Sequence, residues 1–335
     1  MKRTRTITTI LFLALALAAT FALAEPRQLD GRTVLKNMLE AESRTAFIAH
    51  EVTTLARGPA VTSEQIVYRA GFKGMRIEYL EPPALKGEIR ADDGRSLAHF
   101  IPKEKVLRIR PSRIAAMRGW THQIGQALKH GNLVVNLVGS DRIAGRTAYV
   151  IEVKPHLRRH GPTRKFWVDA QKWIKLKTED IAHDGTVLSM SYYTKIEFVN
   201  TVAAEKFRIQ PPAGVRVERE PACPKSIPIE KARKQVNFRI LEPGYLPPGF
   251  KLAGATIVPF RHGKLVALRY TDGVSTISLF QTPGRVLSPK FLRRLHEGPV
   301  QPGKGIYSWR HGNINLTIVG SIPTDEMRRV AGSVK

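Results

Sequence analysis

The stretch from residue 164 to residue 214 constrains the fold most, because apolar and polar residues alternate along it between tight turns. Phe166-Trp167-Val168-Asp169 ends at a turn through Ala170-Gln171, and the next run ends at His183-Asp184-Gly185. A period of two is typical of strands with one buried face. Asp-Gly between two such runs is a strong hairpin signal. The stretch therefore predicts a meander of about three antiparallel strands.

The same alternation runs through residues 46–110, with further turn signals at Arg57-Gly58-Pro59 and Asp92-Asp93-Gly94-Arg95. Before Pro212 we count about ten strands, all of the hairpin kind. An antiparallel sheet of this size is expected to curl.

Two segments have helical spacing instead of alternation. Residues 29–43 contain Asp30, a suitable N-cap, near their start, and Gly131, a suitable stop, follows residues 117–130. The predicted fold class is mainly β (α+β): a curved antiparallel half-barrel whose concave face is covered by these helices.

A proline-rich, charged segment separates this part from a smaller α+β domain, in which Thr271-Asp272-Gly273 joins two predicted strands. Helices are predicted at residues 291–296 and 324–330. The predicted domains are a signal peptide at 1–24, a half-barrel at 25–212, a linker at 213–236 and a C-terminal domain at 237–335.

The first residues predict export. Lys2, Arg3 and Arg5 precede an apolar run over 10–23, and Ala22-Leu23-Ala24 fits a cleavage signal. The alternative is an N-terminal membrane anchor. The net charge is +26, and cleavage would leave 26 − 3 = +23. Such an excess attracts anionic partners. For an exported protein we expect lipopolysaccharide, anionic phospholipid or an acidic protein, and no nucleic acid.

Chemistry-bearing motifs are weak in this sequence. His156 and His160 lie in a basic loop rich in glycine and proline, and Cys223 is the single cysteine. We find no nucleophile elbow, phosphate loop or zinc-protease helix. Asp169 and Asp184 lie at turns, where aspartate caps backbone groups. The prediction is a protein that is not an enzyme and uses no cofactor or metal.

A set of aromatic and methionine side chains suggests a binding surface, although the same residues could fill an ordinary core. Between the curled sheet and the 117–130 helix they would line an apolar cavity suited to acyl chains, because methionine adapts to varied shapes. The nine candidates are Phe47, Tyr68, Met75, Tyr79, Phe100, Trp120, Trp167, Met190 and Tyr192.

Two basic clusters are candidates for holding anionic head groups or a partner, with a solvated surface as the alternative. One consists of Arg108, Arg110, Arg113 and Arg118, and the other of Arg158, Arg159, Arg164 and Lys165.

The motifs also resemble a known family. Asp169 at a strand end, Trp173 on the return strand, the Asp184-Gly185 turn and the close at residues 207–212 are similar to the half-barrel of LolA- and LolB-type lipoprotein carriers. The same half-barrel is the first domain of MucB/RseB regulators. Tyr245-Leu246-Pro247-Pro248-Gly249-Phe250 and the later Thr271-Asp272-Gly273 hairpin resemble the second domain of that family.

The resemblance to MucB/RseB implies a periplasmic regulator that binds the periplasmic part of a membrane anti-sigma factor and senses lipid or lipopolysaccharide through an apolar cavity. It implies no catalytic residues. The alternative is a periplasmic carrier of lipoprotein or lipid acyl chains. The oligomeric state stays open, a homo-oligomer included.

Overall fold

The computed structural model describes residues 29–335 except 57–59, 157–162, 183, 220–225, 261–262, 274, 285–287, 289–290, 293–294, 296–304 and 321. The predicted signal peptide, Arg158, Arg159 and Cys223 lie outside the described residues. Within this part of the chain, no helix is long and apolar enough to cross a membrane.

The first sheet has twelve strands and contains the predicted meander. Its order is β12-β6-β5-β4-β3-β2-β1-β11-β10-β9-β8-β7. The strands are β1 (Ala46–Leu55), β2 (Val61–Ala70), β3 (Met75–Glu81), β4 (Ile89–Asp92), β5 (Ser96–Ile101), β6 (Val106–Pro111), β7 (Leu133–Ile143), β8 (Arg146–Pro155), β9 (Thr163–Asp169), β10 (Lys175–Ile181), β11 (Val187–Phe198) and β12 (Arg216–Arg219). The mainly β, curved-sheet fold class is confirmed.

Helix α1 (Gly31–Arg44) begins directly after Asp30, the predicted N-cap. The Asp30 carboxylate accepts a hydrogen bond from the Thr33 backbone N–H at 2.7 Å, which satisfies one of the free donors of the first turn. The helix buries Val34, Leu35 and Met38. These side chains belong to one core with Ile151, Val153, Phe166 and Val168 of the sheet.

Helix α2 (Arg113–Lys129) begins four residues before the predicted start. The reason lies on β4, where the buried Asp92 carboxylate accepts from the backbone N–H groups of Arg113 and Ile114 at 2.6 and 3.2 Å and from the Ser112 hydroxyl at 2.7 Å. The Ser112 hydroxyl also accepts from the Ile114 N–H at 3.1 Å, so the helix start has a local cap as well as Asp92, which lies about twenty positions away and which the local sequence does not reveal.

The predicted linker is not extended throughout. Its residues 216–219 form β12, which pairs in parallel with β6 and is the one parallel neighbour among the described strands of this sheet. Helix α3 (Ile229–Arg233) follows within the same segment.

The second sheet has five strands in the order β13-β14-β15-β17-β16. They are β13 (Lys251–Phe260), β14 (Gly263–Thr271), β15 (Thr276–Pro283), β16 (Ile306–His311) and β17 (Ile314–Gly320), and α4 (Thr324–Gly332) ends the fold. Buried Gln281 bonds both the N–H and the carbonyl of Leu241, at 2.8 and 2.7 Å, which fixes the entry segment on the sheet. The predicted helix at 291–296 lies partly outside the described residues.

The two sheets are joined by a contact between α2 and the β14–β15 hairpin. The Asn132 side-chain amide, just after α2, donates to the Asp272 carbonyl at 2.8 Å. A Cβ placed on Gly273 would lie 2.8 Å from the Ala127 Cβ of α2. This hairpin therefore approaches the helix so closely that only glycine fits at its tip.

Candidate functional site

Strand register divides the side chains of the first sheet between two faces. Directly opposed residues of an antiparallel pair share a face. Phe47 opposes Arg69 on β2, and Arg69 opposes Met75 on β3. The Arg69 guanidinium lies 3.9 Å from Glu42 of α1 and 3.9 Å from the Met117 sulfur of α2. This side of the sheet is the helix-covered face, and the other side is the outer face.

Only three of the nine predicted cavity residues are placed on the helix-covered face: Phe47, Met75 and Tyr79. Trp120 belongs to α2, but its side chain is outside the described part. The register puts the other five on the outer face: Tyr68, Phe100, Trp167, Met190 and Tyr192. The structure therefore does not bring the nine together around one cavity. Alternation within a strand shows that two faces differ, but it does not say which face meets the helices.

Cations cover two of the outer-face aromatic rings. The Lys177 ammonium lies 4.2 Å from the Trp167 ring centroid, and the Lys206 ammonium lies 4.6 Å from that of Tyr68. The Trp167 indole N–H also donates to the Asp141 carboxylate at 2.9 Å. These rings are thus engaged in cation–π contacts and a hydrogen bond within the chain.

A polar group occupies the middle of the helix-covered face, where the sequence predicted apolar lining. The Gln65 amide donates to the Glu51 carboxylate and to the Thr53 hydroxyl, both at 2.9 Å. Gln65 and Arg69 are both buried. The Arg69 guanidinium donates to the Met75 sulfur at 3.2 Å. The sequence does not reveal these residues, because Gln65 and Arg69 alternate with the apolar Ile66 and Tyr68 and the polar side of β2 therefore resembles a solvated one.

Burial controls the acid–base behaviour of this group. It raises the pKa of the Glu51 carboxyl, against the opposing effect of the Gln65 hydrogen bond and of Lys175. Burial also raises the pKa of the Tyr193 hydroxyl well above its ordinary value, and the carboxylates of Glu51 and Glu42 act in the same direction. In both groups burial shifts the protonation equilibrium toward the neutral form, relative to the same side chain in water.

The predicted basic clusters are dispersed and largely paired. Arg108 forms ion pairs with Glu104 and, at 3.1 Å, with Glu218 of β12. The Arg118 guanidinium donates to the Phe72 carbonyl at 2.8 Å, and that of Arg164 donates to Asp180 at 2.8 Å.

The remaining basic residues are divided between different surroundings. Arg110 opposes Leu97 on the helix-covered face. Arg113 is exposed at the start of α2, while Lys165 opposes Glu152 and Glu179. Since Arg158 and Arg159 lie outside the described residues, head-group binding by these clusters stays a prediction.

The turn roles of the two aspartates are confirmed. Asp169 accepts from the backbone N–H groups of Gln171 and Lys172 at 3.0 and 2.6 Å and is paired with Arg146. Asp184 accepts from the Thr186 N–H at 3.0 Å. Among the described residues, no group of three or more His, Cys, Asp or Glu side chains is arranged to hold a metal.

The chain thus combines a helix-covered curved sheet with a smaller sheet domain. The model of the MucB/RseB N-terminal domain matches residues 30–211. The chain belongs to the MucB/RseB family.

Known relatives match both parts of the chain. It is 24% identical over 335 residues to the sigma factor AlgU regulatory protein MucB of Pseudomonas aeruginosa, covering 96% of each chain. The crystal structure of MucB in complex with MucA(peri) superposes with a TM-score of 0.59 at 18% identity, covering 91% of this chain and 98% of that one. A second complex, MucA/MucB of Pseudomonas aeruginosa, gives a TM-score of 0.57 at 18% identity, with 90% and 97% covered. These likenesses confirm the fold of both domains.

Proposed function

We propose that this protein is a periplasmic regulator that binds the periplasmic part of a membrane anti-sigma factor. The observation that carries the proposal is family membership together with a match over nearly the whole length. The relative MucB is a regulatory protein of a sigma factor, and this chain covers 96% of it. Both domains, and not the half-barrel alone, are therefore shared with a regulator.

The contact between domains supports the same function. Asn132 and Gly273 hold the second-domain hairpin against α2, so the two sheets present their surfaces in a defined arrangement. MucB has been solved in complex with the periplasmic part of MucA. A partner segment that contacts two domains binds with higher affinity when the domains are already held in the bound arrangement, because less conformational entropy is lost on binding.

The net charge of +26 favours an acidic partner. Binding that depends on this charge should weaken as salt rises, because ions screen exposed charges over about 10 Å at 0.1 M salt.

The test is titration of the purified protein with the periplasmic segment of the membrane anti-sigma factor from the same organism. We expect saturable binding, measured by calorimetry, that weakens with added salt. A protein that shows its normal melting transition but binds no such segment would contradict the proposal. A segment with reversed charge pattern is the control for nonspecific attraction.

Lipid or lipopolysaccharide sensing through an apolar cavity stays a prediction. The carrier alternative has less support, since buried Gln65 and Arg69 and the largely buried Glu51 lie on the face where an acyl chain would rest. A protein purified with a stoichiometric acyl ligand, detected by native mass spectrometry, would favour the carrier.

A further inference from the structure

A row of hydroxyl groups crosses the helix-covered face on four neighbouring strands. Ser63 on β2 opposes Thr53 on β1, Thr53 opposes Ser191 on β11, and Ser191 opposes Thr178 on β10. Neighbouring strands lie about 4.8 Å apart, so the row is about 14 Å long. All four side chains are partly buried.

A second polar row lies beside the first. Tyr79 opposes Gln65, Gln65 opposes Glu51, and Glu51 opposes Tyr193. Because residues two apart on a strand share a face, the hydroxyl row and this row form one continuous surface. We name the two rows together the polar band.

Two buried polar atoms of the band have no hydrogen-bond partner among the described residues: the Gln65 side-chain oxygen and the Thr178 hydroxyl oxygen. Gln65 is only 4% exposed, and both of its amide hydrogens are already used by Glu51 and Thr53. Its oxygen therefore needs a donor. Leaving a buried polar atom unpaired is costly, and these two oxygens are therefore available to accept hydrogen bonds that the described residues do not supply.

We propose that the polar band is a binding site for a neutral sugar. A sugar hydroxyl both donates and accepts, which suits an amide oxygen and a row of hydroxyls equally well. The band offers no excess of charge, because Arg69 and Lys175 face Glu42 and Glu51. The half-buried ring of Tyr79 ends the second row and provides apolar surface beside the polar groups.

An acyl chain fits this band poorly. It would leave the Gln65 and Thr178 oxygens unpaired and would cover the Glu51 carboxyl with hydrocarbon. Both changes are unfavourable, because burial of polar groups without hydrogen-bond partners costs free energy. The sugar could be free or could be the head group of a glycolipid, and the experiment separates these sources.

The experiment is saturation-transfer NMR on the purified protein with three probes: maltose, n-octyl β-D-maltoside below its micelle concentration, and octanoate. We expect the strongest saturation on sugar protons and no displacement by octanoate. If maltose binds without an alkyl chain, the ligand is a free sugar. If only octyl maltoside binds and its sugar protons are the most saturated, the ligand is the head group of a glycolipid. Both results support the site.

The decisive variant is Thr178→Val, which has nearly the same shape and removes a hydroxyl that has no partner among the described residues. It should weaken sugar binding about threefold to tenfold, the value of one or two neutral hydrogen bonds, while the melting temperature is unchanged. The matched control is Thr54→Val, next to Thr53 on the same strand but on the outer face. Ser191→Ala provides a second test on β11.

The proposal would be overturned if the alkyl protons were the most saturated, if octanoate competed, or if Thr178→Val and Ser191→Ala bound sugar as well as Thr54→Val. No partner protein is present in this titration, so its result is independent of anti-sigma factor binding.

Discussion

Gly273→Ala is expected to loosen the contact between the two domains. The backbone of Gly273 has φ +91°, and an added Cβ would lie 2.8 Å from the Ala127 Cβ and 3.1 Å from the Gln123 carbonyl oxygen. A side chain in such a conformation costs about 1–2 kcal/mol, and an overlap of this kind costs a further 1–3 kcal/mol or so. We therefore expect a loss of about 2–5 kcal/mol in the free energy of unfolding.

The strain and the overlap can be measured separately. Gly185→Ala is the control for strain alone, because Gly185 follows aspartate in a turn at φ +88° and has nothing within 4 Å of its added Cβ. Ala127→Gly removes the opposing methyl group. In that background, Gly273→Ala should cost about 1–3 kcal/mol less than in the natural protein.

The assay is denaturant unfolding combined with hydrogen exchange over residues 123–132, which reports opening of the helix end. If Gly273→Ala cost the same with and without the Ala127 methyl group, the close approach of hairpin and helix would be wrong. An unchanged exchange rate in a destabilised variant would show that the domains do not part there.

Three further substitutions test the first domain. Burial raises the pKa of Glu51, so its stabilising contribution is present below pH 4.5 and is lost as pH rises through the folded pKa. Glu51→Gln should therefore flatten the decrease in the free energy of unfolding between about pH 4 and pH 8. Glu64→Gln, at an exposed position, should leave that decrease unchanged. Asp169→Ala removes the carboxylate partner of Arg146 and two backbone hydrogen bonds, so we expect a loss of about 3 kcal/mol in urea unfolding. A loss below about 1 kcal/mol would contradict a strong contribution from this ion pair. Leu35→Ala, at a residue 1% exposed, should cost about 2–5 kcal/mol in the same assay, and a smaller cost would indicate a loosely packed α1.

Turns and helix starts were predictable wherever their cause is local. Asp30 caps α1 through the next residues of its own chain, and Thr271-Asp272-Gly273 joins β14 to β15 as a hairpin signal predicts. The start of α2 was predictable only in part, because Ser112 caps it locally but the Asp92 cap is brought from β4 by folding.

The candidate site shows the same division. Alternation correctly predicted β2 as a strand, and Tyr68, which shares one side of the strand with Ile66, was predicted to line the cavity. In the structure they lie on the outer face, whereas Gln65 and Arg69 lie beneath the helices.

The sequence by itself determined most of the strands and hairpins, the order of the two domains and the family, because these depend on neighbouring residues and short motifs. Only the tertiary structure decided which face of each strand meets the helices and which side chains of different strands become neighbours. The physical reason is that a strand has two equivalent sides, and pairing with other strands and packing of helices select one of them.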